Sequence, residues 1–351
     1  VAKKETVIEI EGKMLKLSNL DKVLYPAVGF TKGQVIDYFV RIAPVLLSHL
    51  KDRPLTMKRY PEGVDGMYFY EKNCPKHRPD WVQTAPIYSY GRKDYMQYCL
   101  AQDLPTLVWA ANLADLELHT SLSYAAKIEQ PTMMVFDLDP GPPADIVLCC
   151  QVAFWLKDIF DSFNLQSFAK TSGSKGLQIY VPLNTPVTYD ETKGFSRALA
   201  RLLEQEHPDF VVSDMKKALR VGKIFVDWSQ NDEHKTTINV YSLRAKERPT
   251  VSTPVTWEEV EKCLKKKDAN LVVFDSKQVL ERVGKMGDIF APVLTLEQYL
   301  PNVSELGAEP DAKPRTRRGS RAAGREAPPK TTPSKKKPSR TAKSEATSQA
   351  G

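Results

Sequence analysis

The sequence predicts a mixed α+β fold of the broad α/β class: mixed β-sheets flanked by helices. Three observations lead there. Short apolar strands interleave with amphipathic helical stretches before residue 307. Several neighbouring strands have no helix between them, which excludes a regular run of βα units. No internal repeat and no Rossmann glycine fingerprint occur. A chain of 351 residues, 42% hydrophobic and 26% charged, can bury a substantial core in one large domain or two coupled ones.

The elements follow in order. VIEIEG and KMLKL read as a hairpin. Thr31 opens a helix, with Gln34 three residues on completing a capping box, and Val35, Tyr38, Phe39, Ile42, Val45 and Leu46 form its apolar face. PLTMKRY and MYFYEKN are the next strands, a helix covers 105–114, and LELHTSL extends again. MMVFDLD is a buried strand stopped by Pro140-Gly141-Pro142-Pro143. The apolar stretch 146–163 is helical, FAKT and LQIYVPL are strands, and 190–206 is a helix. Strands KIFVDW and TTINVYSL and a helix from Thr256 complete the pattern.

Composition narrows the function classes. No run of 18 apolar residues is present and the N-terminus has no signal-peptide core, so the chain is expected in the cytoplasm, with no membrane partner. Cys74, Cys99, Cys149, Cys150 and Cys263 form no CxxC pair and have no histidines at zinc-ligand spacing; reduced, mostly buried thiols are expected. The net charge of +7 is unevenly placed. Residues 307–351 hold twelve Lys/Arg against four Asp/Glu, which leaves residues 1–306 at −1. That Pro-, Ser- and Lys-rich tail lacks large apolar residues and is expected to be disordered, serving as a linker or as a polycation that follows phosphates.

Chemistry concentrates in a few segments. In FDLDPG, period-two alternation puts Asp137 and Asp139 on one face of a strand end, with Cβ atoms roughly 7 Å apart. Asp227 ends another apolar strand, KIFVDW. Three carboxylates at about 4 Å would repel by roughly 4 kcal/mol per pair at an effective dielectric of 20, so such a cluster holds a proton or a cation. Oxygen-only ligands suit Mg²⁺ or Mn²⁺. Downstream, TSGSKGLQIYVPL offers glycines for close backbone approach to an anion, hydroxyls at Ser172 and Ser174, and the Lys175 ammonium; it is not a Walker A loop. His119 in LELHTSL, Arg220 in ALRVGK and Arg244 in YSLRAK flank these strands. Acids for metal, a glycine loop with lysine, and arginines at strand edges are what phosphoryl transfer from a triphosphate requires.

NLDKVLYP, KRYPEGVDGMYFYEKN, LELH, VFDLDPG, TSGSKGL, LRVGKIFVDWSQN and YSLRAKERPTVSTPVTW together resemble the polymerase domain of bacterial ATP-dependent DNA ligase D, over roughly residues 7–300. That family belongs to the archaeo-eukaryotic primase superfamily and serves non-homologous end joining. The resemblance implies a primase-polymerase-like core in which Asp137, Asp139 and Asp227 bind two metal ions. It implies that Ser172 and Lys175 hold the triphosphate, helped by Arg244 and by Lys58 or Arg59, with His119 and Gln230 beside the nucleotide. It further implies that Lys22 and Lys32, with Asn19 nearby, take a 5′-phosphate at a DNA end, and that Phe69 and Tyr70 stack on the template. Arg220 is expected at the DNA. Manganese, a ribonucleotide preference, nucleoid association, and Ku and a DNA ligase as partners are implied in the same way. Where the family has histidine after Gly-Leu, this chain has Gln178; a neutral amide can donate to phosphate but carries no charge. The expected function is a DNA-end-directed, metal-dependent nucleotidyltransferase using NTPs or dNTPs on ends or gapped duplexes. A non-catalytic DNA-end binder and a de novo primase are the alternatives. No ligase or nuclease module is expected within the chain.

Overall fold

The computed structural model of the protein describes residues 5–306, so the basic tail lies outside the described residues. Glu5–Ile10 (β1) and Lys13–Ser18 (β2) form the expected antiparallel hairpin. Val23–Tyr25 (β3) and Phe30–Thr31 (β4) lead into Lys32–Leu50 (α1). The capping box is present: Thr31 Oγ1 accepts from the Gln34 amide at 3.3 Å, and Gln34 Oε1 accepts from the Thr31 amide at 2.8 Å. There follow Leu55–Arg59 (β5), Phe69–Glu71 (β6), Thr84–Ser89 (β7), Asp94–Cys99 (β8), Leu104–Asn112 (α2) and Asp115–Thr120 (β9). Met133–Pro140 (β10), Ile146–Ser162 (α3), Phe168–Thr171 (β11), Leu177–Pro182 (β12) and Tyr189–Glu206 (α4) come next. The chain then runs through Val211–Val212 (β13), Ile224–Asp227 (β14), Thr237–Ile238 (β15) and Pro254–Val255 (β16). It finishes in Trp257–Lys266 (α5), Ser276–Met286 (α6) and Pro292–Thr295 (α7).

Two six-stranded sheets carry the described residues. One has the order β15-β9-β5-β8-β7, with β6 on β5; the other runs β13-β14-β10-β12-β11-β16. All pairs in the second are antiparallel except β13 with β14. Each sheet has its own core. Val35, Tyr38, Phe39 and Ile42 of α1 pack with Leu107 and Val108 of α2 around the first sheet. Cys149, Val152, Leu156 and Phe160 of α3 pack with Phe195 and Leu199 of α4 on the second. The sheets meet through β15, where the Tyr180 hydroxyl of β12 lies 3.1 Å from Thr237 Oγ1. Among the described residues no helix is long and apolar enough to cross a membrane.

Two expectations need correction. TTINVYSL was read as one strand, but only Thr237–Ile238 is extended in the sheet. Tyr241 has φ +63°, a left-handed conformation that ends the ladder. Cys74 and Cys99 are joined in a disulfide, whereas Cys149, Cys150 and Cys263 are free and buried. The pair comes together because the Cys74 amide donates to Gln97 O at 2.6 Å, laying the segment before β7 against β8; a separation of 25 residues carries no such signal. The Tyr-rich β7–β8 hairpin and α6 were not foreseen at all.

The left-handed turn at Tyr241 is anchored from two sides. Tyr38 OH donates to Tyr241 O at 2.8 Å, and Tyr241 OH donates to Asp288 Oδ1 at 2.7 Å. Asp288 Oδ2 also lies 2.8 Å from His49 Nε2, at the buried C-terminal end of α1. Burial alone would raise the Asp288 carboxyl; His49 and Tyr241 hold it below the usual range instead. A depressed carboxylate adds stability above its unfolded pKa and loses it as pH falls through the folded one. Asp288→Ala should therefore cost about 1–3 kcal/mol in urea unfolding at pH 7. The difference from wild type should shrink as pH drops below about 4.

Candidate active site

The central strand of the second sheet sets the geometry. In β10, Asp137 lies directly across from Asp227 of β14 on one side and from Gln178 of β12 on the other. Cross-strand partners on one face have Cβ atoms about 5 Å apart, and Asp139, two residues on, shares that face. The acids feel one another. Burial, then Asp139, pushes Asp137 up to about 7, and Asp227 adds to the shift. Asp139 is raised by the water-excluding walls around it and then by Asp227, with Arg220 and Arg244 opposing. The expected acid cluster is thus assembled by register. It does not close around one point: among the described residues no three His, Cys, Asp or Glu side chains form a ready cage. Asp227 is turned aside, its Oδ1 accepting from Ser229 N at 3.0 Å and Ser229 Oγ at 2.6 Å, its Oδ2 from Gln230 Nε2 at 2.9 Å.

A cleft of about 780 Å³ opens over these acids between the two sheets. Asp137, Asp139, Ser172, Lys175 and Gln178 line one wall, and Tyr70, His119 and Thr237 the other. Arg220, Gln230 and Arg244 also reach it. The loop 172–176 folds inward rather than outward. Ser172 Oγ accepts from the amides of Ser174 at 3.3 Å and Gly176 at 3.1 Å. Its glycines serve protein packing, not the anion approach expected from the sequence: a Cβ on Gly176 would stand 2.3 Å from Leu138 O, and one on Gly173, at φ +67°, 2.5 Å from Val251 C. Lys175 is left exposed at the tip. Gln178 is buried at the cleft wall, its Oε1 accepting from Lys170 Nζ at 2.6 Å, with Asp137 as its cross-strand neighbour.

The facing wall contains a residue the sequence reading missed. Glu117 is buried, and three side chains converge on its carboxylate: Lys58 Nζ and the cleft-lining His119 Nε2 and Arg244 Nε, each at 3.2 Å. Arg244 also donates to Ser172 O, tying the two walls together. Although burial alone would raise it, Glu117 is held well below the usual carboxylate range by His119, Arg244 and Lys58. His119 is lowered by its own burial despite Glu117. A carboxylate in an apolar strand with a histidine two residues on was the available signal.

Strand alternation sorts the remaining residues. Lys58 pairs with Tyr70 and Arg59 with Phe69, so each dipeptide sends its side chains to opposite faces. Tyr70 packs edge-on to His119 at the cleft, with ring centroids 5.8 Å apart. Phe69, exposed, sits under Arg59 at 5.1 Å. Arg59 bonds Glu71 at 2.6 Å and Leu113 O at 2.9 Å. The two aromatics do not form one platform, and Arg59 does not join Lys58 beside Glu117. Arg59 belongs with Lys22 and Lys32 instead. Lys32 is buried, donates to Ser18 O at 2.6 Å, and is pushed down to about 8 by burial, then by Lys22 and Arg59. Lys22 pairs with exposed Glu62 at 2.9 Å. The Lys32 amide bonds Lys22 O and the Lys22 amide bonds Asn19 O, which brings the three residues together. Arg220 donates to Met215 O at 2.7 Å and stacks on Phe225 at 3.6 Å.

Comparison with known proteins gives this cleft a family. Residues 31–290 match the family described as LigD, primase-polymerase domain. The chain belongs to the LigD primase-polymerase family. It is 38% identical over 281 residues to the multifunctional non-homologous end joining protein LigD of Mycolicibacterium smegmatis, covering 80% of this chain and 36% of that protein. It is 33% identical over 274 residues to the bifunctional LigD of Bacillus subtilis, covering 78% and 43%. The chain thus spans about two-fifths of the length of such relatives. Among solved structures it resembles the polymerase domain from Mycobacterium tuberculosis ligase D in complex with DNA. The TM-score is 0.74 at 37% identity, covering 81% of this chain and 99% of that one. The LigD family fold is therefore the mixed α+β architecture described above.

Because Glu117 is the shared partner of two largely buried cations, Lys58 and Arg244, and also lies 3.2 Å from His119 Nε2, Glu117→Ala should cost about 3–5 kcal/mol, the penalty for breaking a buried ion pair. Chemical unfolding at pH 7 measures it; a loss below 1 kcal/mol would show the cluster to be dispensable.

Proposed function

We propose that this LigD-family chain is a DNA-end-directed nucleotidyltransferase that fills gaps or extends ends during double-strand break repair by non-homologous end joining. One observation supports the reading: a single cleft sets the mutually repelling acids Asp137 and Asp139 of β10 against Lys175 and the Glu117-bound Arg244 and His119. That is the charge distribution a triphosphate and its counter-ions need. Asp137, Asp139 and Asp227 supply oxygen donors only, and their mutual repulsion is what a hard dication relieves, so the site fits Mn²⁺ or Mg²⁺. A bound ion there would lower the pKa of the attacking hydroxyl and neutralise charge on the phosphates. Arg244, Lys175 and Lys58 bind and orient the triphosphate, His119 and Gln230 flank the nucleotide, and Tyr70 offers a face for a base. Lys22, Lys32 and Arg59 take the 5′-phosphate of the end, with Asn19 beside them and Phe69 against Arg59, while Arg220 meets the DNA near Asp139. Ribonucleotide preference, Ku and a ligase as partners, and nucleoid association follow from the same family reading.

Asp137→Ala and Asp139→Ala should each lower nucleotide addition on a gapped duplex more than about a thousandfold. DNA-end binding should survive within a few-fold. Near-wild-type extension with manganese by either variant would refute the assignment, and loss of extension together with DNA binding would point to unfolding.

The buried Lys32 predicts phosphate recognition with a pH signature. Wild type should bind gapped DNA more tightly with a 5′-phosphate than without, and the preference should fade as pH rises through about 8. Lys22→Ala/Lys32→Ala should abolish the preference at every pH, read by fluorescence anisotropy.

A further inference from the structure

One buried charge behind the cleft has no part in the reading above. Lys170 of β11 is 1% exposed and touches no carboxylate. Its ammonium donates to Gln178 Oε1 at 2.6 Å, Ser252 Oγ at 2.7 Å and Ile238 O at 3.1 Å. Three acceptors use all three protons. Ser252 spends its own hydroxyl hydrogen on Thr171 O at 3.1 Å, so toward Lys170 its oxygen can only accept.

The same logic fixes the Gln178 side chain. Burial pushes Lys170 down to about 7, with Asp137 opposing; in its protonated form it donates and never accepts, so the atom Gln178 then presents to it is the carbonyl oxygen. The amide NH₂ then points the other way, and the cross-strand neighbour on that side is Asp137. Lys170 and Asp137 thus lie at the two ends of one oriented amide. With the lysine absent, the amide is free to turn its oxygen toward the acid. A neutral imidazole has the same pair of functions, one nitrogen accepting and the other donating.

We propose that Lys170 is a positioning residue for the acid site: by committing the Gln178 carbonyl, it aims the amide NH₂ at Asp137 and so orients that carboxylate for a divalent cation. This rests on the reading of Asp137 as a metal-binding acid. Lys170 stays clear of substrate; beyond the pull of its charge on Asp137 it acts through Gln178, and glutamine or histidine serves equally at that position.

The test is a double-mutant cycle on Mn²⁺ affinity of the full chain, read by the electron paramagnetic resonance signal of free Mn²⁺ without nucleotide. A cycle cancels the direct Coulomb effect of removing the lysine charge and isolates the coupling. Gln178→Leu should weaken Mn²⁺ binding about tenfold in wild type, the loss of a hydrogen bond to a charged group. In the Lys170→Met background it should change binding less than about twofold. Gln178→His should stay within about threefold of wild type. Lys170→Gln replaces Lys170→Met in the cycle if thermal unfolding shows the latter misfolded. Equal effects of Gln178→Leu in both backgrounds, or no effect in wild type, would overturn the proposal. If Asp137→Ala leaves Mn²⁺ binding unchanged, the acid assignment itself fails and the relay with it. If Mn²⁺ binds through Asp137 but wild type adds no nucleotide, the polymerase reading fails and the cycle still decides the relay.

Discussion

Strand β10 lies between β12 and β14, and its register with both neighbours decides what the cleft can do. Placing Asp137 opposite Asp227 puts two carboxylates side by side, and the two-residue repeat adds Asp139. Placing Asp137 opposite Gln178 gives the same acid a neutral donor on its other flank. Leu138, between the acids, turns into the core beneath, fully buried. A slip of one residue in either pairing would send the acids inward and the leucine outward, exchanging site for core. The rest of the cleft is arranged around this register: Gly176 passes beneath Leu138 O only because it has no side chain.

Charge is handled on the two walls in opposite ways. On the β10 wall, carboxylates are crowded until burial and Asp139 push Asp137 up to about 7. On the β9 wall, cations are crowded onto one carboxylate, Glu117. Each wall is uncomfortable alone in low dielectric, and each presents what the other side's ligand lacks. A polyanion carrying divalent counter-ions relieves both at once. Arg244 connects the walls, reaching Glu117 with one edge of its guanidinium and Ser172 O with another.

Much of this was legible from residues alone. The Thr31–Gln34 box, the buried strand ending in FDLDPG and the apolar helix after it are local signals, written within a few residues of where they act. So was the pairing of acids on one face, because alternation along a strand needs no partner. What escaped depends on contacts distant in sequence. Glu117 looked like any polar residue in a strand until Lys58 and Arg244 arrived from 59 and 127 residues away in the chain. Lys170 read as an ordinary lysine in FAKT, and its burial is a property of β12, β15 and the Ser252 segment closing over it. The Cys74–Cys99 bond arose the same way, from a hairpin whose tyrosines gave no clear period. Gln178 was located correctly on its strand, but its partner inside the protein, Lys170, was not foreseen.

The antiparallel ribbon of β5 and β6 divides the molecule's surface like a printed page, with different text on its two sides. Lys58 and Tyr70 belong to the side of Glu117 and His119, Arg59 and Phe69 to the side of Lys22 and Lys32, and only one peptide unit separates the two in each strand. The two groups of side chains are therefore kept at a set spacing by the thickness of a single sheet, without a hinge. Gaining or losing one residue within Leu55–Arg59 or Phe69–Glu71 would carry the strand side chains beyond it to the opposite face, exchanging what each side presents.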